Sequence, residues 1–348
     1  MAGRYDLSRP ELDALLADEP PYRARQVWEG MHRRATAPGS MTELPRPLRE
    51  RLAARPELQP ALRPAAETRA DDGQTIKWLW RLAGGSAVET VLMKYPGRAT
   101  VCVSTQAGCA MGCTFCATGQ AGFTRQLTAG EIIEQVVAAI AGARPERVSN
   151  VVFMGMGEPL ANYNALWASV ERLHDDIGIS ARHLTVSTVG LVPGIRRLAG
   201  ERLPVNLAVS LHAANDALRD SMIPINRRWP LAALAEACRH YLASKGRRLS
   251  FEWAMIDGVN DRPSDAAELA AFARPLAAHV NLIPLNPTPG YPTRGTPLAD
   301  VRAFRTRLLE LGINATVRQN RGTEIAAACG QLAAGRGLSP LRRSRVPD

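Results

Sequence analysis

Residues 100–116 read Thr100-Val-Cys-Val-Ser-Thr-Gln-Ala-Gly-Cys109-Ala-Met-Gly-Cys113-Thr-Phe-Cys116. The first five residues predict a strand. The C-x3-C-x2-C run that follows puts three thiols on one tight loop at its end. Downstream, residues 150–154, 183–187, 205–210, 249–255, 279–283 and 314–317 also predict strands. Helical patterns separate most of them, and residues 128–140 open with Thr128 and Glu131 as a capping box. Repeated βα units predict a parallel sheet that curls into a full or partial barrel, with its chemistry at the C-terminal strand ends.

Upstream of the loop, Ile76, Trp78, Trp80 and Leu82 mark one strand, and Val88, Thr90 and Leu92 mark another. Gly84-Gly85 between them predicts a hairpin. The Pro- and Ala-rich residues 56–66 read as a linker. Before that come three helices. Ser8 and Glu11 form a capping box ahead of Leu12, Leu15 and Leu16. Residues 22–34 place Ala24, Val27, Trp28 and Met31 on one face, and a short helix over 48–54 follows Pro45. Arg23, Arg25, Arg33 and Arg34 fall largely off the apolar stripe, as a solvated basic face or an RNA contact. The expected division is a helical module over 1–60, a linker and β extension over 61–98, a core over 99–320, and a C-terminal segment over 321–348.

At 348 residues, 46% of them apolar, the chain can bury a sizeable core, so disorder is not the expectation. No apolar run approaches the ~18 residues of a membrane span. The opening Met1-Ala2-Gly3-Arg4-Tyr5-Asp6 lacks the apolar stretch of a signal peptide, so a cytoplasmic location is expected. The formal charge of +10 suits a polyanionic partner. In a reducing cytosol, a structural disulfide framework is not expected of the six cysteines.

Cys102, Cys109, Cys113 and Cys116 crowd together, which reads as metal ligation or redox chemistry. Iron–sulfur clusters normally take four cysteines. Three thiolates on one loop can hold three irons of a cubane and leave the fourth open. The amino and carboxylate groups of S-adenosylmethionine fit that iron, and an electron from the cluster can then release a 5′-deoxyadenosyl radical. Zinc is the alternative, but structural zinc takes four ligands in paired units, and no second pair or neighbouring histidine is present.

The wider pattern resembles the radical S-adenosylmethionine (SAM) superfamily and, within it, the RlmN family of dual-specificity RNA methyltransferases. The matching runs are 102–119, Gly122-Phe123, Leu127-Thr-Ala-Gly-Glu-Ile132, Met154-Gly-Met-Gly-Glu-Pro-Leu160, Ser210-Leu-His212, Pro224-Ile-Asn-Arg227, Gly258-Val-Asn-Asp261, Asn281-Leu-Ile-Pro284 and Arg321-Gly322 through Leu332. Tyr22-Arg-Ala-Arg-Gln-Val27 extends the likeness to the N-terminal module. Gln126 stands where the family usually has Asn, and Trp253 where it more often has Tyr.

The resemblance implies an α/β fold, a partial (β/α)6-type radical SAM barrel with a small N-terminal helical domain and a β-hairpin extension. It implies one [4Fe–4S] cluster on Cys109, Cys113 and Cys116, and two SAM molecules per turnover. Gly157, Glu158, Ser187, Ser210, Leu211, His212 and Asn286 are implied as SAM-binding. Taken singly, Ser187 reads as an ordinary strand-end serine, His212 as a core histidine, and Gly155-x-Gly157 as a tight turn. The implied reaction makes 2-methyladenine at adenine 2503 of 23S rRNA and adenine 37 of tRNA. Adenine C2 is a poor nucleophile, so a methyl parked on a thiol suits the chemistry. Cys329 is the implied carrier, and Cys102 the thiol that releases product by forming a disulfide with it. Glu89, thirteen residues before Cys102, matches the family's proton acceptor; alone it reads as an exposed strand carboxylate. Cys238 matches no motif and is read as core. The partners implied are 23S rRNA, tRNA and a flavodoxin- or ferredoxin-type electron donor, with a monomer expected. Arg336, Arg342, Arg343 and Arg345 make the tail basic, as a solvated arm or a phosphate contact. Two alternatives stay open: a Cfr-like enzyme that methylates C8 of the same rRNA adenine, and a noncatalytic zinc-holding RNA-binding protein.

Overall fold

A computed structural model describes residues 3–286, 288, 291–319, 321–322, 325–327 and 330–332. It opens with α1 (Arg9–Leu15), α2 (Pro21–His32) and α3 (Arg46–Ala54). Ser8 and Glu11 close the expected capping box on α1, and prolines in the first turns start α2 and α3 where a missing N–H costs nothing. The apolar stripes of these helices, with Leu12, Val27, Met31 and Leu52 at their centre, pack around Ile133 and Val137 of a later helix. Three of the four arginines expected on the basic face hold groups of the chain itself. Arg23 reaches Gln26, Arg34 reaches Glu43, and Arg33 reaches the Asp176 carbonyl.

The next elements are β1 (Arg63–Ala70), β2 (Thr75–Arg81) and β3 (Ala87–Tyr95), an antiparallel run. Here the linker expected over 56–66 is corrected. Residues Pro56–Leu58 make a 3-10 turn and β1 begins at Arg63. The strand was hidden by its proline, which an edge strand accommodates; β1 is the edge, and its register shifts between Pro64 and Ala66. The hairpin joining β2 and β3 turns on Gly84 and Gly85 as expected, both at positive φ.

The α/β part follows as β4 (Arg98–Cys102), β5 (Gln106–Gly108), α4 (Ala117–Ala121), β6 (Phe123–Gln126), α5 (Ala129–Ala143), β7 (Val148–Phe153), α6 (Tyr163–Asp175), β8 (Leu184–Thr188), α7 (Val192–Gly200), β9 (Asn206–Ser210), α8 (Asp216–Met222), α9 (Leu231–Lys245), β10 (Leu249–Met255), α10 (Pro263–Ala273), β11 (His279–Pro284), α11 (Leu298–Glu310) and β12 (Ala315–Val317). One sheet runs in the order β1-β2-β3-β4-β7-β8-β9-β10-β11-β12. From β4 to β11 six strands run parallel, with short β12 added in the same sense. Among the described residues β1 and β12 do not pair, so the barrel is open, the partial (β/α)6 type expected. Strands and outer helices share one apolar core, in which Cys238 is fully buried. The β5–β6 pair lies apart from the main sheet; strands this short leave no periodicity to read. Among the described residues no helix is long and apolar enough to cross a membrane.

Candidate active site

The loops leaving the C-terminal ends of the parallel strands converge on one cavity. It encloses about 1060 Å³ of space counted out to its open mouth. Cys109, Cys113 and Cys116 line it from the loop after β4. Gly112 lets the chain reverse between the first two cysteines, with φ +66°. The Cys109 N–H donates to the Gly122 carbonyl at 2.9 Å, fastening the loop to the start of β6. Cys109 and Cys113 are buried and Cys116 half-buried.

Burial pushes the Cys109 thiol up to about 12, and the Cys113 thiol further in the same direction. Such thiols deprotonate only if a cation replaces the proton, the chemistry expected of iron ligands. Among the described residues no three His, Cys, Asp or Glu side chains converge as ligands of one ion. Three cysteine thiols on the cavity wall leave a structural zinc one ligand short but suit a cubane with one open iron, so the donor set fits the cluster.

Opposite the cysteines lies the turn after β7. A Cβ on Gly155 would lie 2.6 Å from the Val103 carbonyl oxygen, so only glycine lets this turn pass the end of β4. Gly157, at φ +103°, packs equally hard against Gln106. The Gln106 Oε1 accepts the Glu158 N–H at 2.7 Å, and Gln106 Nε2 donates to Gln126 Oε1 at 2.9 Å. The unusual Gln126 therefore braces the Gly157-Glu158 turn. The carboxylate of Glu158, a residue that lines the cavity, is held by two backbone donors. It accepts the N–H groups of Leu160 and Val189, at 3.1 and 2.9 Å, and so joins the β7 and β8 loops. Burial lifts its pKa to about 7.

Ser187 and Ser210 line the cavity from the ends of β8 and β9. His212 lines it too, from a left-handed backbone position at φ +57°. Its Nδ1 accepts the Ala254 N–H at 2.8 Å, which leaves the ring proton on Nε2. Burial depresses its pKa to about 3, so the ring is neutral, and the Phe115 ring packs against it edge-on, 4.7 Å between centroids. Asn260 fixes this arrangement: it donates to the carbonyls of His212 and Ala254 and accepts the Ile256 N–H. Leu211 and Asn286, expected beside the cofactor, do not line the cavity. Leu211 points into the main core and Asn286 is buried beyond β11.

Arg219, on α8, was not anticipated. Its fully buried guanidinium donates to the carbonyls of Leu211 (3.1 Å), Val189 (2.6 Å) and Ser210 (3.3 Å) and to Asn226 Oδ1 (2.7 Å). Asn226 in turn donates to Asp216 and Asp220. The matching run Pro224-Ile-Asn-Arg227 thus anchors a cation beneath the β8 and β9 ends. Burial lowers the Arg219 pKa to about 10.

A second cavity adjoins the first and shares Met154, Arg318 and Leu332 with it. Cys102, the last residue of β4, lines it together with Tyr95, Arg321 and Ala327. Glu89 on β3 is buried rather than exposed, with Oε1 3.1 Å from Lys77 Nζ, and lines neither cavity. Cys329 and the four tail arginines lie outside the described residues. No disulfide joins two of the described cysteines.

Residues 103–270 match the Radical SAM superfamily. A probable dual-specificity RNA methyltransferase RlmN from Parafrankia sp. (strain EAN1pec) is 54% identical, over 98% of this chain and 93% of its own. One of the same description from Roseiflexus sp. (strain RS-1) is 49% identical, over 96% and 97%. A crystal structure of a radical SAM methyltransferase from Sphaerobacter thermophilus superposes with a TM-score of 0.91 at 51% identity, covering 96% of this chain and all of that one. Streptococcus suis SuiB bound to S-adenosylmethionine shares the fold alone, with a TM-score of 0.51 at 13% identity over 66% of this chain and 52% of its own. The cofactors are a [4Fe–4S] cluster and S-adenosylmethionine. With the cysteine loop, the barrel and near-complete relatives in agreement, the chain belongs to the radical SAM superfamily and, within it, to the RlmN family of dual-specificity RNA methyltransferases.

Proposed function

We propose that this enzyme forms 2-methyladenine in 23S rRNA and tRNA, at adenines 2503 and 37, through a methyl group carried on Cys329. The observation that carries the reading is the pair of adjoining cavities. One is lined by the cysteine triplet and the strand ends. The other holds Cys102 beside Ala327 and Leu332, which flank Cys329 in sequence. The relatives' description as dual-specificity RNA methyltransferases supports the substrate class.

Once bound, the cluster and a second SAM would supply a 5′-deoxyadenosyl radical able to remove a hydrogen atom from a thiol-bound methyl group. Cys109, Cys113 and Cys116 hold the cluster. The strand-end groups at Gly157, Ser187, Ser210 and His212 seat the cosubstrate, His212 offering its Nε2–H. The Cys329 thiolate takes a methyl from one SAM by displacement, S-adenosylhomocysteine leaving, and presents it to the adenine. Glu89 accepts the proton lost from the ring, and Cys102 attacks the Cys329 sulfur of the thioether, so that a Cys102–Cys329 disulfide forms as the carbon–sulfur bond breaks; the released methylene carbon takes up a proton and the odd electron passes to the external electron carrier. The protein works in the cytoplasm as a monomer with a flavodoxin- or ferredoxin-type donor.

The test is anaerobic reconstitution, incubation with 23S and tRNA transcripts, and nucleoside mass analysis. The expected product is 2-methyladenosine; 8-methyladenosine would transfer the assignment to the Cfr-like reaction. Cys329→Ala is expected to keep iron and sulfide yet lose methylation. Cys102→Ala is expected to trap a protein–RNA adduct on a denaturing gel. Normal turnover by the Cys329 variant overturns the carrier role.

A further inference from the structure

The geometry points to Lys77 as a positioning residue for methyl transfer, its buried ammonium tying the Glu89 carboxylate to the backbone of the segment that carries Cys329. This rests on the roles proposed above for Glu89 and Cys329.

Lys77 lies on β2, between Ile76 and Trp78, with 4% of its side chain exposed. Its Nζ stands 3.1 Å from Glu89 Oε1 and donates to the Ala326 carbonyl at 3.2 Å. Lysine is almost never buried unless paired, and a buried ion pair adds little stability over an apolar replacement. Stability alone therefore does not explain a cation here.

Register shows what the pair faces. Lys77 is opposite Val91, and Val91 is opposite Cys102, so the three share one face of the sheet. Glu89, two residues before Val91, shares that face. The same ladder that places Cys102 in the second cavity therefore places Lys77 and Glu89 beside it.

The far end of the tie is also specific. Ala326 has a left-handed backbone, φ +49°, an uncommon state for a residue with a Cβ. Beyond Cys329, the Gly330 carbonyl accepts the N–H of Ala117, immediately after cluster ligand Cys116, and the Leu332 carbonyl accepts the Thr118 hydroxyl. Lys77 supplies the restraint on the near side of Cys329, and α4 supplies the one on the far side.

The experiment compares reconstituted wild type with Lys77→Met, Lys77→Arg, Glu89→Gln and the Lys77→Met/Glu89→Gln double variant. Iron and sulfide content of Lys77→Met is expected to match wild type. Its kcat for RNA methylation should fall about 10- to 100-fold, the loss for one charge-assisted hydrogen bond needed in the working geometry, with KM for RNA nearly unchanged. Lys77→Arg should restore part of the rate. The double variant should be little worse than the worse single one, because both act through one contact. Independently of turnover, alkylation of Cys329 by iodoacetamide, followed by peptide mass analysis, should be faster in Lys77→Met. If wild type makes no methyladenosine, the function proposed above fails while the alkylation comparison still tests the tie. Unchanged alkylation, or strictly additive losses in the cycle, overturns the inference. Should Lys77→Met not fold, Lys77→Arg with near-wild-type alkylation and a kcat between those of wild type and Glu89→Gln sustains it, and Lys77→Arg as slow as Glu89→Gln overturns it.

Discussion

Replacing Arg219 by leucine removes a guanidinium that holds three strand-end carbonyls and one side-chain amide. Two of the four contacts, 2.6 Å to Val189 and 2.7 Å to Asn226, have the length of charge-assisted bonds. Each such bond contributes about 1.5–3 kcal/mol, and each acceptor left dry costs about 1–3 kcal/mol. Opposing this, the variant no longer desolvates a cation, a cost visible in the lowered pKa of Arg219. Removing one partner from a buried charged network nets about 3–5 kcal/mol of destabilisation, a large part of the ~5–15 kcal/mol that holds a typical domain together. Urea unfolding under anaerobic conditions measures it through the midpoint at constant slope. Arg219→Lys keeps the charge but loses the fork, and should fall between the two. Arg307→Ala, which breaks an exposed pair with Glu310, is the control and should stay within ~0.5 kcal/mol. A loss under ~1 kcal/mol for Arg219→Leu would refute the assignment of the network as the anchor of the strand ends.

Two further perturbations probe the frame around the site. Gly155→Ala drives a methyl against backbone at Val103 and Ser104, 2.6 and 2.8 Å away. It should cost about 1–3 kcal/mol and weaken SAM retention in equilibrium dialysis. Gly200→Ala, with open space around its Cβ, should be neutral or slightly stabilising in the same melt. Glu134 on α5 accepts the N–H groups of Ala61 and Leu62, and burial raises its pKa from 4.5 to about 7. The folded protein therefore holds this proton more tightly than the unfolded chain. Stability from this group is full below the ordinary carboxyl pKa, declines as pH rises from about 4.5 to about 7, and is level above. Glu134→Gln should flatten that part of the Tm-against-pH curve, and an unchanged slope would show that other groups set it.

What the sequence disclosed depended on repetition and on spacing. The barrel strands stood out because each is an apolar run between helical patterns, and β10 has the expected bounds. The cysteine loop stood out because thiols at that spacing have few other uses. β1 was missed because proline and alanine weaken the alternation of an edge strand. Arg219 was missed because nothing in Asp216-Ala-Leu-Arg219-Asp220 distinguishes an inward guanidinium from a solvated one; only the closure of α8 onto the strand ends does so. Glu89 was legible only by resemblance. Its burial and its lysine follow from a register that a single strand does not reveal.

That register also explains how one strand serves two cavities. Cys102 ends β4 with its side chain on the face shared with Val91, and the chain passes through β5 before the cysteine loop begins at Cys109. Cys102 lines the second cavity and the cluster ligands line the first, with Met154 and Arg318 lining both. A nucleophilic thiol in direct reach of the cluster would compete for its open iron, since thiolates are the natural ligands of such clusters. Keeping Cys102 on the strand and the ligands on the loop removes that competition by geometry. The arrangement requires β4 to end where it does. The strand stops because Gly155, pressed against Val103 and Ser104, takes the Val103 carbonyl as its acceptor, and the Val152 carbonyl accepts the Val103 N–H. The tight turn after β7 thus lines the first cavity and also sets where β4 ends, ahead of the cysteine loop.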